Sequence, residues 1–343
     1  MMKNKPIALV LLALLIFIRN TSGSSQDDQG QLQVGFYAKT CPDAEAIIHE
    51  VVRRAVVADP RNAAILLRLH FHDCFVEGCD GSILINNDLD GELKAAGNAG
   101  VAGFDIIEDA KARLESACAA VVSCADIVAL AARDAVSLSN GPFYQAPTGR
   151  RDGRISKMSL AADLPDVDDS IEVLKSKFTQ KGLSHKDLVL LSGGAHTIGV
   201  TACFFLQNRL YNFASTGGSD PAIHPLFLPK LKAKCPLNGD VNVRIALDRT
   251  SQFIFDDQIL YNIRGGFAVI ASDARLNDDD DTRQVLDSYL RGSKRSNKTR
   301  PSFKEDFTAA MVNMGKIDVK TGSKGEIRRV CSAVNGIQSK TSL

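Results

Sequence analysis

The stretch ILLRLHFHDCFVEGCDGS, residues 65–82, gathers side chains that can move protons and hold metals. Arg68 and His72 stand four apart, so on a helix they share a face. A guanidinium that keeps its charge beside an imidazole that titrates near neutrality makes a proton shuttle with a fixed cation at its side. The plain alternative is a core histidine next to a salt-bridged arginine. His70, His72 and Asp73 would instead supply ligands for a metallohydrolase. Two imidazoles two apart on a helix point in different directions, so that chemistry needs a loop or a strand end. Just downstream, Asp73, Asp80 and Ser82 lie in a glycine-containing turn flanked by Cys74 and Cys79. Calcium takes about six to eight oxygens, backbone carbonyls among them, and such a loop can offer them. A plain Asp-rich turn reads the same letters equally well.

A second centre is LVLLSGGAHTIG, where a helix is expected to end in glycines and another to begin near His196. A lone histidine there serves as a cap or a core residue. As an iron ligand it would need a carboxylate on its far nitrogen to orient the ring and raise its basicity. Asp273, in IASDARL, is a candidate for that carboxylate.

The elements that must position these groups are mostly helical by periodicity. Helices are expected over 42–57, from an Asp59 cap with Pro60 at the first position through Phe71, and over 106–117, 124–136, 170–180, 184–191, 196–211, 256–265 and 303–314. Strand-like alternation is scarce. The span 141–169, with GPFYQAPTGRRDGR and LPDVDDS, is loop-rich and divides the chain into two helical halves. The acidic run 278–281 and the basic stretch Arg291, Lys294, Arg295, Lys298 and Arg300 read as solvated loops, the latter with wall polyanions as an alternative contact. Asn297-Lys298-Thr299 is a glycosylation sequon.

Compartment follows from the N-terminus. Lys3 and Lys5 precede an apolar run over 7–18, then Arg19 and small polar residues, which is a signal-peptide layout with cleavage expected between 21 and 31. The run is too short to read as a spanning helix, which needs about 20 apolar residues. A mature chain starting at Gln31 loses three cations and two anions, so the net charge falls from +1 to 0. A neutral chain has no global attraction to nucleic acid or to a membrane. In an exported chain, eight cysteines imply four disulfides rather than metal sites. Spacing does not choose among about 105 pairings.

The strings RLHFHDCF, GCDGS, VSCADI, GRRD, HTIG, RLYNF and GEIRRVC, in this order from about 31 to 331, closely resemble the secretory plant haem peroxidases, the class III peroxidases. The resemblance implies an all-α, two-domain peroxidase fold with haem between a distal half, about 31–165, and a proximal half, about 166–315. A C-terminal segment returns to the distal half, and a short tail, 332–343, follows. It makes His196 the axial ligand of one haem b and Asp273 its carboxylate partner. Arg68 and His72 become the distal pair, with Phe71 beside them, Asn98 orienting His72 and Glu92 at the far end of that network. Pro165 would offer its carbonyl to reducing substrates. One calcium ion would use Asp73, Val76, Gly78, Asp80 and Ser82, and a second Thr197, Asp248, Ser251, Ile254 and Asp256. The implied bridges are Cys41 to Cys118, Cys74 to Cys79, Cys124 to Cys331 and Cys203 to Cys235.

The implied activity is reduction of hydrogen peroxide with one-electron oxidation of small phenolic donors by a secreted monomer, in the cell wall or the vacuole. Several positions depart from the family pattern. LSGGAHTIG is one residue longer before His196 than the commonest form. Ser251 and Gln252 replace the usual Thr and Pro, Ala274 the usual Gln, and Tyr144 the usual Trp. The chain has no Trp at all, so no radical can be stored on one.

Overall fold

The computed structural model describes residues 31–87, 89–215, 217–290 and 301–336. The expected signal segment, Asn297 with the basic stretch around it, and the end of the tail lie outside the described residues. The first four helices are α1 (Ala44–Ala58), α2 (Arg61–Phe75), α3 (Phe104–Ala117) and α4 (Cys124–Leu138). Helix α2 starts as its sequence dictates: Pro60 is in helical conformation at the cap, and the Asp59 carboxylate accepts from Arg61 N at 3.0 Å. Helix α4 is the axle of this half. Ser123 Oγ caps it by accepting from Asp126 N at 3.1 Å, and every residue from Cys124 to Val136 is buried. Helices α1, α2 and α3 pack around it.

After a long stretch with only short helical turns come α5 (Ile171–Gln180) and α6 (His185–Leu188). Helix α6 does not stop there. It widens into π turns over Val189–Gly194 and ends in a 3-10 turn over Ala195–Thr197. An extra residue before His196 is what a π turn absorbs, because it loops five residues where an α turn loops four. The two glycines are fixed by packing as well. A Cβ on Gly193 would come within 2.6 Å of Leu276, and one on Gly194 within 3.0 Å of Phe303.

The expected helix over 196–211 is not formed. Gly199 at φ +101° breaks the chain direction, and β1 (Val200–Ala202) pairs antiparallel with β2 (Arg244–Ala246), Val200 opposite Ala246 and Ala202 opposite Arg244. The β-branched run Ile198, Val200 and Thr201 favours this extended course. Helix resumes only at α7 (Gln207–Tyr211), followed by α8 (Leu228–Lys234), α9 (Gln258–Arg264) and α10 (Ala271–Arg275). Helices α11 (Asp280–Tyr289) and α12 (Phe303–Met314) close the fold. The acidic run is therefore not a plain loop. Asp279 caps α11 through Asp281 N and Thr282 N, and Asp280 and Asp281 form its first turn, where carboxylates complement the helix dipole.

Apolar side chains form two clusters. The larger draws on α1 to α6 and also on α9, α11 and α12. The smaller joins Cys203, Leu210, Phe227, Leu231, Leu247 and Ile270 around the two-stranded ladder. Disulfides link Cys41 to Cys118, Cys74 to Cys79, Cys124 to Cys331 and Cys203 to Cys235. Among the described residues no helix is long and apolar enough to cross a membrane.

Candidate active site

Ala64, Arg68 and His72 lie along one face of α2, each four residues from the last. That face meets the turn carrying His196, because a Cβ on Gly199 would lie 2.7 Å from the Ala64 methyl. Ala64, on that face, thus lies against the chain three residues after His196.

His72 is buried in the last turn of α2. Its Nδ1–H donates to Asn98 Oδ1 at 2.7 Å, which leaves Nε2 with a free lone pair. Asn98 sits in a 3-10 turn over Ala96–Asn98, and its Nδ2 donates to the Glu92 main-chain carbonyl at 2.8 Å. The network therefore reaches Glu92 through the backbone rather than through the carboxyl. Burial, with a smaller push from Arg68, lowers the His72 pKa to about 3 against the pull of the Asn98 bond. The imidazole is neutral across the ordinary pH range. Burial also raises Glu92 to about 7. Arg68 anchors to Ala99 O at 3.1 Å, and burial together with repulsion from Arg244 on β2 brings it down to about 10. It remains a cation, without a carboxylate partner among the described residues. Phe71 stacks on Phe75 with ring centroids 4.1 Å apart.

His196 has a different setting. Its Nδ1–H donates to Asp273 Oδ1 at 2.8 Å, and Asp273 is wholly buried in the first turn of α10. The imidazole itself is 30% exposed, and its Nε2 has no bond among the described residues. A basic, oriented nitrogen on an open side is the arrangement a metal or haem iron requires.

The hydrolase ligands do not converge. His70 Nδ1 lies 3.5 Å from Cys74 Sγ, His72 turns to Asn98, and Asp73 Oδ2 accepts from Gly81 N at 3.0 Å. No group of three or more His, Cys, Asp or Glu side chains able to hold a metal exists among the described residues.

The two expected calcium loops each have only two carboxylates, so the rest of a coordination shell would come from neutral oxygens. In the first, Asp73, Val76, Gly78, Asp80 and Ser82 are all buried, and Asp73 Oδ1 and Ser82 Oγ have no hydrogen-bond partner. Burial, and after it the Asp80 charge, push the Asp73 carboxyl well above its ordinary range. In the second, Asp248 Oδ2 and Ser251 Oγ are the buried orphans, Thr197 Oγ1 donates to Asp256 Oδ1 at 3.3 Å, and Ile254 N donates to Ser251 O at 2.8 Å. Orphaned oxygens inside both loops fit a hard cation.

Pro165 is half-buried, and the neighbouring Leu164 side chain would meet a Cβ on Gly97 at 3.3 Å, which puts this segment against the Asn98 turn. Sequence reasoning missed Arg244, Lys181 and Lys320. Lys181 donates to Val76 O at 2.8 Å and Lys320 to Asp80 Oδ2 at 2.5 Å, over chain separations of 105 and 240 that leave no local signal. The shallow depressions around Ile47 and Arg113 and between His185 and Tyr289 touch neither paired histidine.

The fold is mostly helical, with a neutral, amide-held histidine and an arginine on one helix and a carboxylate-held histidine on a separate turn, and its class is an oxidoreductase. The chain belongs to the peroxidase family, of the plant class III type, and is a peroxidase that reduces hydrogen peroxide; the Peroxidase family model matches residues 48–292. Peroxidase 43 of Arabidopsis thaliana is 63% identical over 304 residues, covering 89% of this chain and 92% of that protein. Peroxidase 13 of the same plant is 56% identical across 96% of this chain and all of its own length, and Peroxidase N1 of Nicotiana tabacum 48% across 95% and 96%. The family implies haem and usually calcium.

Proposed function

We propose that the chain is a secreted enzyme holding one haem b through His196 and two calcium ions in the loops described above, and that it oxidises small phenols. The observation that carries this reading is the contrast between the two histidine pairs: an amide on His72 leaves a proton acceptor, while a carboxylate on His196 makes a strong ligand. Haem, when bound, would supply the redox chemistry, giving two electrons to the peroxide O–O bond and recovering them one at a time from the donors.

The chain's own groups do the rest. His72 Nε2 takes a proton from hydrogen peroxide and returns it to the departing oxygen, and the Arg68 cation stabilises the negative charge that develops as the O–O bond breaks. Asn98 keeps the accepting nitrogen unprotonated. Asp273 raises the donor strength of His196. For each peroxide, two donors lose one electron and one proton apiece, and two waters form. Wall phenolics and lignin precursors have the right chemistry, met near the Pro165 carbonyl.

Entry into the secretory pathway, ending in wall or vacuole, is supported by the N-terminal layout and the four disulfides. The monomeric state follows the resemblance. The haem-reconstituted protein should show a Soret band with a high-spin ferric pattern and turn over guaiacol with peroxide. Full haem loading without turnover would identify a silent calcium-binding scaffold instead.

A further inference from the structure

Two ammonium groups sit on oxygens of the 73–82 loop. Asp80 is buried; its Oδ1 accepts from Ser82 N at 2.9 Å, and its Oδ2 accepts from Lys320 Nζ at 2.5 Å. Neither side of that contact is free to wander. Asp80 O accepts from Gly153 N at 2.8 Å, and a side chain on Gly153 would run into the Asp80 carboxylate. Lys320 O accepts from Arg151 N at 2.7 Å, within an isolated antiparallel bridge two residues away. The C-terminal segment thus delivers its cation to this carboxylate by backbone pairing. Val76 O, a second oxygen of the loop, accepts from Lys181 Nζ at 2.8 Å, at the end of α5. Asp73 Oδ1 and Ser82 Oγ, on the same loop, have no partner.

We propose that Lys320, seconded by Lys181, is a resident counter-cation of this loop and sets how tightly it takes calcium. The inference rests on the calcium reading given above. Two carboxylates held in one buried loop repel each other, and a fixed ammonium relieves that repulsion when no metal is bound. The same positive charge opposes an incoming divalent cation. The lysine therefore stabilises the metal-free protein and weakens calcium binding at once. A purely orienting role would have the opposite sign for calcium, because losing a partner that aims a ligand carboxylate weakens the metal.

The Lys320 side chain is 31% exposed, so solvent screens part of its effect. Lys320→Met is expected to tighten calcium at this loop about tenfold and to lower the unfolding temperature in chelator by a few degrees. Lys320→Arg keeps the charge and should stay near wild type in both respects. Lys181→Met, which frees a neutral carbonyl, should change affinity about two- to threefold.

The test is calorimetric calcium titration of the chelator-stripped, haem-loaded protein, with thermal unfolding in chelator and in calcium. Ser82→Ala identifies which binding event belongs to the loop. Tighter calcium with a less stable metal-free state in Lys320→Met supports the proposal. Unchanged or weaker calcium there, with wild type binding at the loop, overturns this inference alone. If Ser82→Ala and wild type titrate identically, the calcium reading of the loop falls and the inference with it.

Discussion

The end of α2 and the turn at His196 each present one histidine, and they use it in opposite ways. His72 belongs to an uninterrupted helix, is 7% exposed, and gives its Nδ1 proton to an amide. His196 sits where an α-helix has widened into π turns and then tightened, is 30% exposed, and gives its Nδ1 proton to a buried carboxylate. Both bonds fix the same tautomer with Nε2 outward. They differ in charge. An amide adds nothing to the imidazole's attraction for a proton or a metal beyond one hydrogen bond, whereas a carboxylate in a low-dielectric setting adds a full negative charge. A proton carrier must release what it takes, and a permanent ligand must not. The partner of Nδ1, more than the histidine, decides which role each position can fill.

The contrast breaks most completely at His196, the proposed ligand. His196→Ala removes the outward Nε2 that the carboxylate supports, and haem retention after gel filtration should fall to near nothing; a stably loaded variant would refute the assignment. His72→Ala should leave haem in place and slow the reaction with peroxide by about 10³-fold, within the usual range for a lost acid–base group. Stopped-flow rates near wild type would remove His72 from its role. Asp273→Asn turns the carboxylate into the amide type of partner. It should weaken haem retention and slow O–O cleavage by about 10- to 100-fold, with a shift in the iron spin state. An unchanged rate and spectrum would mean that the carboxylate charge does not matter.

How much of this the sequence discloses differs between the two regions. The region of α2 is legible: an Asp-Pro start, helical spacing through Phe71 and a four-residue step between Arg68 and His72 lead to the helix and the shared face that the structure has. The His196 region is not. The periodicity of LVLLSGGAHTIG suggests a break at the glycines and a new helix at His196, whereas the helix runs through the glycines as π turns and gives way to a strand. Local propensity carries no signal for a π turn, since its stability lies in the packing of Gly193 on Leu276 and Gly194 on Phe303. Helix α10, which holds Asp273, is five residues long and too short for a period to show. The pairing of His72 with Asn98, 26 residues apart, and of His196 with Asp273, 77 apart, comes from the family resemblance and not from spacing. The lysines on the 73–82 loop belong to neither kind of signal. They reach it from the far side of the fold.

The finest test of the contrast is to give the distal histidine the proximal kind of partner. Burial and Arg68 hold His72 at about 3, so in wild type the base is neutral above that value and the peroxide reaction should be flat from pH 8 down to about 4. As pH falls through 3 the ring gains a proton, loses its lone pair, and the rate drops. Asn98→Asp places a negative charge against Nδ1–H, which favours the imidazolium and raises the His72 pKa. The acid limb should move up toward neutrality, so that the variant loses about tenfold at pH 5, where an appreciable part of the base is protonated, and little at pH 8. A rate profile that keeps its acid limb near pH 3 would show that Arg68 and burial, rather than the amide partner, govern the proton affinity of the distal base.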